Sequence, residues 1–301
     1  MNTYAEISLE AIKHNITEIR KLLAPPVKFM AVVKANAYGH GAVAVGRAAV
    51  DAGANYLAVA NLKEAMELAD LADKRRLVLM VDHTLLYSSV VGRMKRIVSS
   101  GDLGGVYYYD SVRINLGLFQ HDVNVIWDLA PHDLSVMDHV LQAKVRRVSA
   151  LGRACAGTGV EDAAYLTLEC EGGLLAHFHL NWLSPVKIRR VMIGGSKKML
   201  LWDDQNPDEK LRIYDKGVRV RTREGLHRVL TSYRIGGMQA PVLDTVEPLA
   251  AAVADFLRSI EKKLRPVSDG YAGARIVGLL EAADRSVRKG GAVEIVENLP
   301  R

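Results

Sequence analysis

Apolar positions along the first part of the chain fall into alternating helix-like and strand-like rhythms. Leu9, Ile12, Ile16, Ile19, Leu22 and Leu23 repeat at helical spacing, Ser8 ahead of them suits an N-cap, and Pro25-Pro26 ends the helix. Lys28–Ala35 has the continuous apolar centre of a buried parallel strand. Residues 36–41 (NAYGHG) follow as a turn whose glycines admit positive φ, and Ala42–Asp51 predicts a helix. Asn55–Ala60 predicts a second strand, Leu62–Lys74 a second helix and Leu77–Val81 a third strand. Such a β-α-β-α-β run is expected to be parallel and right-handed.

The rhythm then changes. Val90, Val91, Met94, Ile97 and Val98 mark a helix, Gly101–Gly104 a turn and Val106–Asn115 a strand. In Asp122–Leu141 the face of Leu134, Met137, Val140 and Leu141 points to a helix with Pro131 as its first residue. Asp128 then falls in the turn entering the helix and His132 in its first turn. Strands are expected at Val145–Arg153, Ala163–Cys170, Leu174–Leu183, Arg189–Gly195, Lys198–Trp202 and Leu211–Tyr214. Gly172-Gly173 and Gly194-Gly195 read as tight connections, and Leu249–Leu264 and Gly273–Val287 as closing helices. The fold class is therefore α/β plus α+β. A short parallel unit occupies residues 1–82, and a large, mostly antiparallel open sheet with helices on one face occupies 83–301.

Composition narrows the classes. The chain has 301 residues, 49% hydrophobic and 25% charged, as an ordinary globular protein of one large or two smaller domains would. Its formal charge of +6 is spread without a basic run, so nucleic acid is not an expected partner, whereas acidic small molecules are compatible. Cys155 and Cys170 form neither a disulfide framework nor a metal-ligand spacing. MNTYAEISLEAIKHN has no apolar signal core and no apolar run is of membrane-spanning length. The expectation is a cytoplasmic protein with no membrane partner.

Three places carry chemistry. Lys34, at the carboxyl end of an apolar strand, would be desolvated and suited to Schiff-base formation, with Tyr38 able to bond a phosphate at the next helix start. The plainer reading is a solvated lysine and a turn tyrosine. His132 at a helix N-terminus beside Asp128 would be held neutral and able to take a proton from a hydroxyl; the plainer reading is a helix cap and a seam histidine. His177 and His179 share one strand face, with no third metal ligand evident. Gly39, Gly41 and Gly46 follow a strand, but as G-x-G-x-x-x-x-G, and no acidic residue closes the next strand, so the dinucleotide fingerprint is absent.

TYAEISLEAIKHNI and AVVKANAYGHG resemble the beginning of alanine racemase, a barrel enzyme using pyridoxal phosphate, through about Leu68. The resemblance implies that Lys34 carries the cofactor as a Schiff base and that Tyr38 contacts its phosphate. That family's second-domain catalytic tyrosine and its arginine facing the pyridine nitrogen have no visible counterpart.

From about Leu71 the chain resembles the C-terminal portion of the Gfo/Idh/MocA oxidoreductases, especially those acting on nucleotide-linked sugars. The strings VDHTLLY, SGDLGGVYYYDSVRINLGLFQHDVNVIWDLAPHD, LLAHFHLNWLSPVKIRRVMIGGSKKMLLWDD and SDGYAGARIVGLLEAADRS carry it. It implies an NAD(P) cofactor, a sugar or nucleotide-sugar ligand, and Asp128 and His132 facing that ligand near the nicotinamide. Asn115 would line the same pocket, and the open sheet would mediate a homo-oligomer. Lys187 and Arg189 alternate on one face of a strand start, where they would meet an acidic sugar or its phosphates or, on the plainer reading, form a solvated sheet edge. The Glu-Lys-Pro string that bears that family's catalytic lysine is missing. Two family fragments thus meet near Leu68–Arg76, in a recombined, engineered or fused chain. Three functions follow: an oxidoreductase scaffold with a replaced cofactor domain, a pyridoxal-phosphate protein using Lys34, or a non-catalytic oligomerising module.

Overall fold

The computed structural model describes residues 6–24, 29–33, 37–54, 56–58, 78–117, 119, 123–222, 229–296 and 299. Helix α1 (Leu9–Lys21) begins at Ser8, whose hydroxyl accepts the Ala11 amide as expected. Strand β1 (Met30–Val32), helix α2 (Ala42–Asp51) and strand β2 (Tyr56–Ala58) follow, and β1 and β2 pair in parallel. Val33, Ala37 and Val45 form one small core with Ile12 and Leu57, and Ile16, Ala49 and Ala54 a second. The helix expected at Leu62–Lys74 lies outside the described residues, as does Lys34.

The third strand expected at Leu77–Val81 is corrected. Among its described residues there is only an isolated antiparallel bridge, Met80 to Asp269. The Val81 amide donates to the Ser268 carbonyl, and the Ser268 hydroxyl donates to the Val81 carbonyl at 2.6 Å. The apolar run therefore satisfies its backbone against the chain's late segment instead of extending the first sheet.

A 3-10 turn (Thr84–Tyr87) and helix α3 (Ser89–Ser99), capped by Ser88, lead into the larger body. Its strands are β3 (Val106–Leu116), β4 (Val145–Arg153), β5 (Ala163–Cys170), β6 (Leu175–Asn181), β7 (Leu183–Gly195), β8 (Met199–Asp203) and β9 (Leu211–Tyr214). A separate hairpin, β10 (Gly217–Thr222) and β11 (Val229–Arg234), precedes the two-residue strand β12 (Met238–Gln239); β13 (Glu294–Ile295) closes the chain. Nine strands form one sheet in the order β12-β9-β8-β7-β3-β6-β5-β4-β13, and only β3 and β6 pair in parallel.

Helices α4 (Val125–Leu141) and α6 (Gly270–Arg288) pack on one face of this sheet, and α5 (Pro248–Lys262) packs on the 3-10 turn. Pro248 opens α5 as expected. Period-two burial follows from the one-sided cover: Ala176, Phe178, Leu180 and Trp182 are buried, while His177 and His179 on the other face are half-buried. One apolar core runs from Leu86 to Val296.

Two details depart from the sequence reading. Strand β7 starts at Leu183, six residues before Arg189, and the hairpin, β12 and β13 were not anticipated because these strands are short or charged. Gly194 is not a turn residue. It pairs with Tyr108 and Met199 inside the sheet, and a Cβ there would strike the Tyr108 ring.

The outer strands are covered piecemeal. β13 pairs only with Val148 and Arg147 of β4, and beyond it the Ala150 amide donates to the Ser286 hydroxyl of α6 at 2.9 Å. On the other side β12 covers only Tyr214 and Ile213.

Candidate functional site

The site is built on α4, and its start decides the geometry. Asn124 caps the helix, its side-chain oxygen accepting the amides of Ile126 and Trp127, both at 3.1 Å. Pro131 is therefore an interior helical residue, not the first, and the expected placement of both chemical groups is corrected. Asp128 lies in the first turn, and His132 lies a further turn inside. The helix N-terminus cannot be what keeps His132 neutral, because that field fades within the first turn.

Other forces act on His132. Packing around the ring lowers its pKa first, then the cations of Arg113 and Arg189, while Asp133 and Asp128 oppose them; the net direction is down. The residue nonetheless remains exposed. Neutral imidazole is the form that accepts a proton.

Two of these charges belong to a buried ion pair. Arg113 of β3 donates to Asp133 through Nε at 2.6 Å and Nη2 at 3.0 Å, and both side chains are almost fully buried. Burial works against the charge on Arg113, and Asp133 overrides it, leaving its pKa raised. Arg189 of β7 stands opposite Arg113 in the sheet. Its Nη1 is 3.8 Å from Asp204, and its buried Nε has no hydrogen-bond partner among the described residues.

Asp128 is not a free carboxylate. The Trp182 indole donates to its Oδ2 at 2.9 Å, and Trp182 is itself buried. Trp127 packs partly buried against the core.

The structure thus gathers Asp128, His132, Arg113, Asp133 and Arg189. Lys187 is exposed two residues along β7 from Arg189. Asn115 is half-buried near the end of β3, where the pairing with β7 becomes irregular between Ile114 and Leu116.

Sequence reasoning missed Arg113, Asp133 and His83. Arg113 and Asp133 read as ordinary charges, since nothing local marks them as partners. His83 is buried, and its pKa falls to about 4 through burial first and the neighbouring His132 second. Its place just ahead of the apolar Leu85, Leu86 and Tyr87 was the available signal.

In the first unit Tyr38 is exposed with φ of 55°. Gly39 and Gly41 take positive φ as expected, and added Cβ atoms there would meet nothing within 4 Å. Gly41 opens α2 without a side-chain cap, and the first turn carries no acid.

His177 and His179 stack on Tyr165, the His179 ring at 4.5 Å between centroids. Among the described residues no group of His, Cys, Asp and Glu is arranged to hold a metal, and no helix is long and apolar enough to cross a membrane.

Comparison with known proteins defines a two-part chain. Residues 7–91 match the model of the alanine racemase N-terminal domain, and residues 91–201 match that of the GFO/IDH/MocA C-terminal domain. The racemase match thus runs past the Leu68 at which the strings fade.

The alanine racemase of Desulforamulus reducens is 66% identical over 65 residues, 22% of this chain and 18% of that protein. Alanine racemase 2 of Oceanobacillus iheyensis is 51% identical over 83 residues, covering 27% and 21%. The chain spans about a fifth of the length of these curated relatives.

Among solved structures, the UDP-N-acetylglucosamine 3-dehydrogenase GnnA from Acidithiobacillus ferrooxidans superposes with a TM-score of 0.64 at 24% identity, over 82% of this chain and 75% of that one. An inositol dehydrogenase homolog from Azotobacter vinelandii, complexed with NADH and myo-inositol, gives 0.70 at 16% identity over 95% and 82%. These likenesses show the fold: an alanine-racemase-like segment is followed by a body with the Gfo/Idh/MocA architecture.

Proposed function

We propose that the larger body binds a sugar or nucleotide-linked sugar on the α4 face that carries Asp128 and His132. The observation that carries this reading is a neutral-leaning His132 within electrostatic reach of the buried Arg113–Asp133 pair and of Arg189. His132 accepts a hydrogen bond from a sugar hydroxyl. Asp128, one oxygen already engaged by Trp182, accepts a hydrogen bond from a second hydroxyl through the other. Arg189 and Lys187 meet an anionic substituent, and Asn115 lines the rim.

The nicotinamide cofactor of the structural neighbours does not fit this chain's residues. The one strand–glycine turn–helix that resembles a dinucleotide site has the wrong glycine spacing, and Gly41 is itself the helix cap. We therefore derive no hydride step.

The test is calorimetric titration with UDP-N-acetylglucosamine and with myo-inositol. Binding that weakens at least tenfold in His132→Ala and Asp128→Asn supports the reading. Equal binding in both variants, or none in the parent, overturns it.

A second reading has its own observation. The glycine-capped start of α2, with the exposed Tyr38 three residues ahead of Gly41, suits the phosphate of pyridoxal phosphate. That group would supply an electron sink at an amine-bearing carbon, with Lys34 as its point of attachment and Tyr38 holding its phosphate. Borohydride reduction should then fix the cofactor to the parent chain and not to Lys34→Ala; a persisting adduct excludes Lys34.

We take the two parts to meet ahead of Val78, since Val81 is already tied to Ser268 and Leu86 already belongs to the large core.

A further inference from the structure

The polar row on α4 does not stop at His132. Ser135, His139 and Gln142 continue it at helical steps, and they form one wall of a cavity of about 400 Å³. That volume falls within the roughly 300–1,000 Å³ of small-ligand sites. Lys95 of α3 and His83 also line it, and Leu86, Ile276 and Leu279 give it an apolar wall.

The charges in this cavity do not balance. Arg275 and Asp138 neutralise each other in a forked pair, Nε at 3.1 Å and Nη2 at 2.9 Å. Lys144, at the rim, faces Glu171 at 3.6 Å. Lys95 makes no ion pair among the described residues; its Nζ lies 3.5 Å from His139 Nδ1. Burial and the Lys95 cation push the His139 pKa to about 4, so His139 brings no counter-charge at neutral pH. His83 Nε2 is buried without a hydrogen-bond partner among the described residues. One cation without an ion-pair partner and one orphaned ring nitrogen thus line a cavity that also has an apolar part, and leaving the buried His83 nitrogen unpaired costs stability.

We propose that this cavity binds a small organic anion with an apolar body, a short aliphatic carboxylate. The carboxylate pairs with Lys95, within reach of His83, and the hydrocarbon lies on Leu86, Ile276 and Leu279. A phosphate ion would satisfy the cation but leave the apolar wall against water, so the apolar body is part of the recognition. The proposal goes beyond the sugar reading, and its test uses neither sugar nor cofactor.

The experiment is titration of the full chain with hexanoate, with 1-hexanol and inorganic phosphate as comparisons, followed by calorimetry. Hexanoate should saturate a single site, and hexanol and phosphate should each bind at least tenfold more weakly. Lys95→Met keeps the side-chain stem while removing the charge, so the fold should persist and hexanoate affinity should drop at least tenfold. Ala143→Phe, on the loop after α4, fills the cavity without altering Lys95 and should abolish binding; it decides the matter if Lys95→Met does not fold. No saturable hexanoate binding overturns the proposal. So does hexanol or phosphate binding as tightly as hexanoate, or unchanged affinity in a folded Lys95→Met or Ala143→Phe.

Discussion

Trp182 fixes one oxygen of Asp128, and Asp133 fixes Arg113, so the reactive-looking groups of the α4 face rest on partners that are themselves buried. Breaking such a pair is costlier than removing it. Arg113→Met strands the Asp133 carboxylate in the core and should cost about 3–5 kcal/mol in urea unfolding. Replacing both by apolar residues (Arg113→Met with Asp133→Leu) should restore most of that loss.

His83 sets a pH dependence. Its pKa is about 4 in the fold and 6.5 when free, so between those values the unfolded chain binds more protons. Stability is full above pH 6.5 and should fall by on the order of 3 kcal/mol as pH drops through the window. His139, also held at about 4, steepens the fall. In thermal melts across pH 4–7, His83→Leu should flatten the slope; an unchanged slope would assign it elsewhere.

At this scale the sequence pointed to Asp128, His132 and Arg189. Their supports were invisible to it, because Arg113 and Asp133 come together only through sheet and helix packing.

Among elements, α4 shows how a strong local signal misleads. Proline favours the first helical turn, yet Asn124 offers a better start by accepting two amides that would otherwise go unbonded. The preceding Val125 and Ile126 are wholly buried, and their packing holds the extra turns despite the missing amide at Pro131. Asn124 also donates to Glu161 and Asp284, tying the cap to neighbouring elements. Asn124→Ala should therefore cost about 1–2 kcal/mol in denaturant unfolding, at the upper end for a cap.

The strands with clean alternation, β5 and β9, were legible to the residue, as was α2. The run at Leu77–Val81 was not. An apolar stretch with β-branched residues fits any buried extended segment, and only the Ser268 backbone decided which one it joined.

For the whole molecule, the two-part origin was readable because each part keeps its family's own strings. What the strings could not convey is how unequal the parts are. The large core includes nothing ahead of Leu85 among the described residues, whereas the first unit's cores hold three buried side chains each. A chain beginning at Val78 should consequently keep a cooperative melt close to that of the full protein; loss of that transition would show that the first unit completes the larger core.

Ligand-dependent melting separates the two cofactor readings at the same scale. A group bound only by the native state at a hundredfold excess over Kd adds about 2.7 kcal/mol. Pyridoxal phosphate should raise Tm through the first unit, while NAD(H) and NADP(H) should leave it unchanged.

The outer strands have a consequence for the life of such a chain outside the folded state. A nine-stranded sheet ordinarily offers two long rows of open amides on which other molecules can template. Here each border is a two-residue strand, and the Ser286 hydroxyl occupies the Ala150 amide that β13 leaves uncovered. Foreign chains find the open amides broken into short stretches. A body guarded in this way against fibrillar self-association can tolerate having a different sequence spliced ahead of it.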